Sequence, residues 1–477
     1  MATFDLSAVR LLVLLNPGRM SRHWVLGIAR AAESMGVLSG TLEMQTVWDR
    51  INGSGIDPAV VREVAGELRD HCAARGVTHV VSYTHNGVFD TGVWRDEQGV
   101  STGFFAAMGL RHLLLWSDHP NWAFDGAGLE PAMRSALAHP RQAHFVKSAA
   151  AADELAAVTG WPNVHALHMA EDPRAFEPVP FPERGRVFDA VAIAGDRPAV
   201  PDELAGLLDD DDPDPRSIIG SLGKTAVAAA RARLHDLGVA GAELVACDRL
   251  VSDWVEARAE LPRVPFFQIA DQLEPYHPEA TAFLRSDPQR WYAAVRGAQT
   301  ATAWRRPFWM AWLARRAELG VFGSRFVHSR PAQTPEQIAW APNAEQARVY
   351  ARGASGVNIN AGHDEAGLTH KPFQIAAAGS PIVHHDTRHI RQCFEPGEEC
   401  LVFERGPELL DAVRSLADDP ERARRMGEAA RARLERDHTW AKRLEAMLRA
   451  ADTGESAEEL GAVEHVSAPR FERGAAA

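Results

Sequence analysis

Cysteine is scarce: Cys72, Cys247, Cys393 and Cys400 are the four in 477 residues. They form no CxxC pair and stand near no histidines at zinc-finger spacing. This argues against a disulfide framework or a cysteine-built metal site, and fits reduced thiols in a cytoplasmic protein. Long hydrophobic runs are missing too. The apolar stretch from Leu11 to Leu15 follows Asp5 and stops at Asn16-Pro17-Gly18, so it reads as a buried strand rather than a leader or a membrane span. Positive charge is in deficit, with 51 basic against 64 acidic residues and a net charge of -13. Nucleic acid is therefore not expected as a partner, although one local basic pocket can still hold an anionic small molecule. Lysine is the rarest cation: Lys147, Lys224, Lys371 and Lys442 stand alone in a chain that otherwise uses arginine. A compact ammonium at position 371 is therefore conspicuous.

What is present is ordinary for a globular enzyme, with 46% apolar and 24% charged residues. The length implies two domains. Apolar runs at 9–15, 77–83, 113–116, 144–146 and 164–167 alternate with helical stretches at 25–34 and 58–75 and with alanine-rich segments. Strands alternating with helices predict a parallel sheet covered on both faces, with ligands bound beyond the carboxyl ends of the strands. The proline-rich 178–185 stretch reads as a linker between an N-terminal domain, 1–180, and a C-terminal domain, 187–450. A second strand set is expected at 189–194, 319–323, 338–340, 356–360 and 380–383. Within that domain 200–218, rich in Asp and Pro, reads as a surface loop, and about 200–318 as a helical insertion carrying Trp254, Trp291, Trp304, Trp309 and Trp312 in its core. Helices from Asp418 to Ala451 carry Leu434, Leu444 and Met447 on an apolar stripe, and 453–477 reads as a disordered tail.

The stretch from Val357 to Phe403 carries the most chemistry. It reads as strand, polar loop, short helix, strand, helix and strand, with the loop at a helix N-terminus suited to an anion. Lys371 and Gln374 lie one helical turn apart and can face one ligand. Gly367, Leu368 and Thr369 offer backbone donors to a diphosphate, and Lys371 can neutralise charge on a leaving group. Asn360 ends the strand. His363, Asp364 and Glu365 either hold hydroxyls of a bound ligand or cap the helix. Gly379 is expected to end that helix in a left-handed conformation. His370, His384, His385 and His389 fall on separate elements without ligand spacing, so no metal is expected. In the N-terminal half, Asn16, Gly18, Arg19, His85, Asp118 and His119 directly follow predicted strands, where catalytic groups collect in α/β sheets. Asp118 or His119 is the candidate general base if the chemistry needs one. Gly220 to Thr225 looks like a P-loop but has Ile218 where the motif needs glycine, and no strand precedes it.

These residues carry a resemblance. Asn358 and Asn360, Lys371-Pro372-Phe373-Gln374-Ile375 through Gly379, Ile382-Val383 with Asp386, Glu399 to Phe403, and Arg422 to Gly427 resemble the C-terminal half of two-Rossmann (GT-B) glycosyltransferases, most of all the CgeB (spore maturation protein) branch. Trp116-Ser117-Asp118-His119-Pro120 is loosely similar to that branch's N-terminal W-x-D-x-P. The resemblance implies an α/β protein of two Rossmann-like domains facing a cleft, the C-terminal one holding a nucleotide sugar (UDP-, GDP- or dTDP-) and the N-terminal one a glycan, protein or small-molecule acceptor. It implies no tightly bound cofactor. Two departures stand out: Gln374 replaces the usual glutamate that bonds the ribose hydroxyls, and Lys371 replaces a frequent arginine. They leave open a binding or scaffold protein without turnover, or an epimerase- or phosphorylase-like enzyme.

Overall fold

The computed structural model describes residues 4–16, 19–84, 94–124, 131–194, 200–322, 343–362 and 367–455. Among the described residues the chain forms two compact units, one of residues 4–168 with 439–455 and the other of residues 169–438. In the first unit the elements run β1 (Leu11–Leu15), α1 (Arg19–Ser34), β2 (Leu38–Glu43), α2 (Met44–Gly53), α3 (Pro58–Ala74), β3 (His79–Tyr83), α4 (Phe104–Ala107), β4 (Arg111–Trp116), α5 (Pro131–Leu137), β5 (Gln142–Val146), α6 (Ala149–Thr159) and β6 (Val164–Ala166). All strand pairs are parallel, in the order β2-β1-β3-β4-β5-β6. The apolar runs become strands because both sheet faces are covered: Leu11, Val13, Val80, Leu114 and Phe145 are all buried.

The second unit starts its sheet with β7 (Phe188–Ile193). A run of helices from α7 (Asp202–Ala205) to α15 (Arg305–Ala314) follows, including α8 (Pro215–Gly220), α9 (Gly223–Asp236), α10 (Gly241–Glu260), α11 (Phe266–Leu273), α12 (Pro278–Arg285), α13 (Pro288–Ala298) and α14 (Thr300–Ala303). Then come β8 (Leu319–Phe322), α16 (Asn343–Tyr350), β9 (Gly353–Asn358), α17 (Lys371–Ala377), β10 (Ile382–His385), α18 (Arg388–Cys393), β11 (Cys400–Phe403), α19 (Gly406–Asp418) and α20 (Pro420–Asp437). This sheet is also parallel, in the order β11-β10-β9-β7-β8. The expected α/β class with two parallel sheets is observed. Trp254, Trp291, Trp309 and Trp312 are buried in the helical insertion, while Trp304 is only half-buried.

Several boundaries differ from expectation. The proline-rich 178–185 stretch lies inside the second unit rather than between domains, because Arg184 donates to the carbonyls of Gly379 (2.7 Å) and Ala378 (3.4 Å) and its guanidinium covers Phe181. The final helix α21 (Trp440–Thr453) belongs to the first unit, not to a C-terminal domain reaching residue 450. Trp440 packs where Gly27 lacks a side chain, and Asp452 pairs with Arg111 (2.6 Å) and His79 (3.1 Å). Residues 200–218 hold short helices, not only loop: Asp214 caps α8 by accepting from Arg216 N at 3.0 Å with Pro215 at the first turn. The expected strand at 338–340 and the tail beyond 455 lie outside the described residues. Cys72, Cys247, Cys393 and Cys400 are buried thiols.

Candidate functional site

Each sheet reverses its strand order once near its middle, between β1 and β3 in the first unit and between β7 and β9 in the second. A crevice opens beyond the carboxyl ends at such a point, and it takes the ligand in open α/β sheets. In the second unit the chain leaves β9 through Asn358, whose Nδ2 donates to His384 Nε2 (2.9 Å). That fixes the His384 tautomer, so its Nδ1 donates to the His385 carbonyl. Burial pushes the His384 imidazole down to about 4. Thr302 Oγ1 donates to the Gly362 carbonyl (3.0 Å), and a Cβ at 362 would stand 2.5 Å from the Ala303 backbone. Asn360 Nδ2 reaches across the loop to the Gly367 carbonyl (2.8 Å). The loop carrying the expected donor contacts is thus held at both ends, with Leu368 buried and Thr369 half-buried. His363, Asp364 and Glu365, expected to face the sugar, lie outside the described residues.

The expected helix-dipole site is reduced. α17 has seven residues, Pro372 lacks an N–H, and Lys371 N is taken by Thr369 Oγ1 (3.3 Å). What remains is a charged cluster. The Lys371 side chain is half-buried, and its ammonium is pushed down to about 8, first by burial, then by the neighbouring Arg306, with Glu171 acting the other way. Gln374 is buried, and its Nε2 donates to Glu171 Oε2 at 3.2 Å. A carboxylate can only accept, so this contact sets which end of the amide is which. Gln374 Oε1 is buried and has no hydrogen-bond partner among the described residues. Of the Gln374 amide, expected to face the ribose, one end serves Glu171. Glu171 is fully buried and also accepts from Asp172 N (2.9 Å). Sequence reasoning missed Glu171 and Arg306: neither belongs to a local motif, and Glu171 lies 203 positions from the glutamine it touches.

Around the cluster, Asp386 is tied to Arg391 (2.9 and 2.8 Å) and Arg263 (3.0 Å), and Arg305 contacts His385. The His385 imidazole is held well below its ordinary range by burial and by Arg305, and His389 is pushed down to about 4 by burial. Among the described residues no group of three or more His, Cys, Asp or Glu side chains could hold a metal ion.

In the first unit, Asn16 ends β1 and is buried. Arg19 starts α1, but its side chain, Gly18 and His85 lie outside the described residues. Asp118 is exposed after β4 and accepts from Tyr83 Oη (3.1 Å), which itself accepts from Ser117 Oγ (2.7 Å). His119 is buried, its Nδ1 accepting from Asn121 N (3.2 Å) and its Nε2 facing Glu154 Oε2 (3.0 Å). With both ring nitrogens engaged, His119 organises the turn, while the Asp118 carboxylate reaches solvent. Thr84, which follows β3, adopts φ +49, an unusual conformation for a branched residue at the crevice edge.

Residues 305–449 match a family model described as glycosyl transferase-like. That region runs from α15 to α21 and contains Asn360, Lys371 and Gln374, but not Glu171. No curated protein matches the sequence. Among solved structures, sucrose-phosphate synthase from Thermosynechococcus elongatus is similar at 11% identity, covering 95% of this chain and 99% of that one, with a TM-score of 0.41. A glycosyltransferase from Rickettsia africae ESF-5 is similar at 7% identity over 94% and 99%, TM-score 0.40. T4 phage BGT in complex with its UDP-glucose substrate is similar at 9% identity over 93% and 98%, TM-score 0.39. At such scores the architecture rests on the two sheets themselves. No described helix is long and apolar enough to cross a membrane.

Proposed function

We propose that the chain is a glycosyltransferase that moves a sugar from a nucleotide-sugar donor to an acceptor hydroxyl or amide, on a CgeB-like variant of the GT-B plan. The observation that carries the reading is the cluster in the glycosyl transferase-like region: Lys371 beside Arg306, and Gln374 held by Glu171 so that its buried carbonyl oxygen is left unpaired among the described residues. Lys371 and the backbone of Gly367 to Thr369 serve the diphosphate, where a cation stabilises the charge that develops as the sugar leaves. Gln374 Oε1 accepts from a ribose hydroxyl, so an amide locked in one orientation does the acceptor work of the usual glutamate. Asp118, exposed at the end of β4, is the base on the acceptor side if configuration inverts.

Thermal melting with UDP-, GDP- and dTDP-sugars and their free nucleotides tests the reading; a melting temperature that responds to none of them removes it. Lys371→Ala is expected to weaken nucleoside diphosphate far more than nucleoside, and equal losses would take Lys371 off the phosphate. Glu171→Gln frees the Gln374 amide to flip and should weaken the diphosphonucleoside roughly tenfold, the scale of a charge-assisted hydrogen bond. Unchanged affinity would show that Gln374 does not read the ribose. A second reading, donor binding without turnover, is favoured by the amide at 374. Release of nucleoside diphosphate from a bound donor, with or without acceptor, separates the two.

A further inference from the structure

The helix layer of the first unit holds an apolar pocket that opens to the surface. Trp48, Ile51, Val64, Leu68, Trp94 and Phe104 wall a cavity of about 390 Å³ between α2, α3 and the segment leading into α4. Its floor is core: Ile51, Val64, Leu68 and Phe104 belong to one buried cluster, and Trp48 and Trp94 pack on it half-buried. Its rim reaches the surface through Ile56, which is 59% exposed. Protein interiors are normally packed without gaps this large, since an empty wall forfeits its dispersion contacts. Water does not solve the problem. A buried water needs two to four polar partners, and among the described lining residues only Asn52 and the indole N–H groups of Trp48 and Trp94 are polar. No charged side chain is among the described lining residues either, so there an ion would be desolvated without compensation.

The rim carries a second unusual feature. Ile56 adopts φ +63, a left-handed conformation that a β-branched residue takes only under constraint. Its backbone N–H is held by the Ile51 carbonyl (3.1 Å), so the α2–α3 turn keeps an exposed hydrophobe at the cavity mouth. The volume falls in the range of small-molecule pockets and exceeds twice the roughly 150 Å³ apolar cavity that accepts benzene. This is too concave and too small for a helix or a second protein surface.

We propose that this cavity binds the uncharged hydrocarbon part of a small molecule, about the size of two fused rings or an eight-carbon chain. Resting on the transferase reading above, that molecule is the acceptor. The test uses N-phenyl-1-naphthylamine, an uncharged probe that fluoresces in apolar surroundings, titrated into the full chain. Saturable binding at one probe per chain is expected. Straight-chain alcohols should displace it about threefold more tightly for each added methylene, levelling near octanol as the cavity fills. Ala65→Trp, which fills the cavity from α3, should weaken the probe at least tenfold without changing the melting response to a UDP-sugar. Absence of saturable binding, displacement that ignores chain length, or a folded Ala65→Trp chain that binds normally would each overturn the proposal. Should Ala65→Trp not fold, the alcohol series on the unaltered chain decides. Loss of the donor response alone would count against the transferase reading and leave the cavity standing.

Discussion

Lys371 sits where burial and Arg306 disfavour its charge while Glu171 favours it, so its ammonium titrates at about 8 rather than at the ordinary 10.5. The sign of the consequence is fixed: the group is a cation below about pH 8 and neutral above it, and a bound diphosphate favours the cation. Nucleoside diphosphate affinity should therefore fall as pH rises from 7 to 9, by roughly tenfold if Lys371 makes one charge-assisted contact. Lys371→Arg should keep its affinity over that range, because guanidinium stays protonated. Calorimetric titrations at pH 7, 8 and 9 check this, and parallel declines for both proteins would assign the pH dependence elsewhere. Lys371 and Gln374 could be singled out in the sequence because residues three apart lie on one side of a helix. Glu171 could not, because its meaning depends on a contact with a glutamine from a distant element, and sequence spacing is silent about such contacts.

Elements built from local signals were legible. The strands β1, β3, β4 and β5 were readable because burial on both faces demands continuous apolar runs. β2, with the sequence LSGTLE, was not, since it is the edge strand and only half-buried. The start of α8 at Asp214-Pro215 was hidden in an acidic run, although the same Asp-Pro signal opens α3, α13 and α20. Gly379 behaves as expected, with φ +67 after α17, where Arg184 donates to the carbonyls of Ala378 and Gly379 and Arg431 to that of Ala377. Gly362 has a role the sequence did not suggest. Because a Cβ there would meet the α14 backbone, Gly362→Ala must push the loop after β9 away from Thr302. The expected cost is about 1–3 kcal/mol in urea unfolding, typical of overpacking, together with weaker donor binding. An alanine variant with unaltered stability would mean that this close approach does not hold the loop.

On the scale of the whole molecule, the buried histidines set a limit on acid tolerance. Burial pushes the imidazoles of His112 to about 3 and of His144 and His165 to about 4 in the first unit, and of His384 and His389 to about 4 in the second. Their hydrogen bonds suit the neutral ring: Ser82 with His112 (2.9 Å), and Trp116 Nε1 donating to His144 Nδ1 (3.2 Å). In the unfolded chain each would titrate near 6.5, so below that pH the unfolded state binds protons that the folded state refuses. The stability these neutral rings support is fully present above about 6.5 and is lost progressively as pH falls toward 4. Each contributes up to about 1.4 kcal/mol per pH unit in that window. Melting temperature should thus be flat from pH 8 to 7 and drop steeply below 6, in both units because each holds such rings. The double variant Ser82→Ala with His112→Leu removes both partners of one buried pair, which should be near neutral at pH 7.5 and leave a shallower acid limb. If the variant's melting curve follows the unaltered chain down to pH 4.5, His112 is not among the groups that set the acid limit.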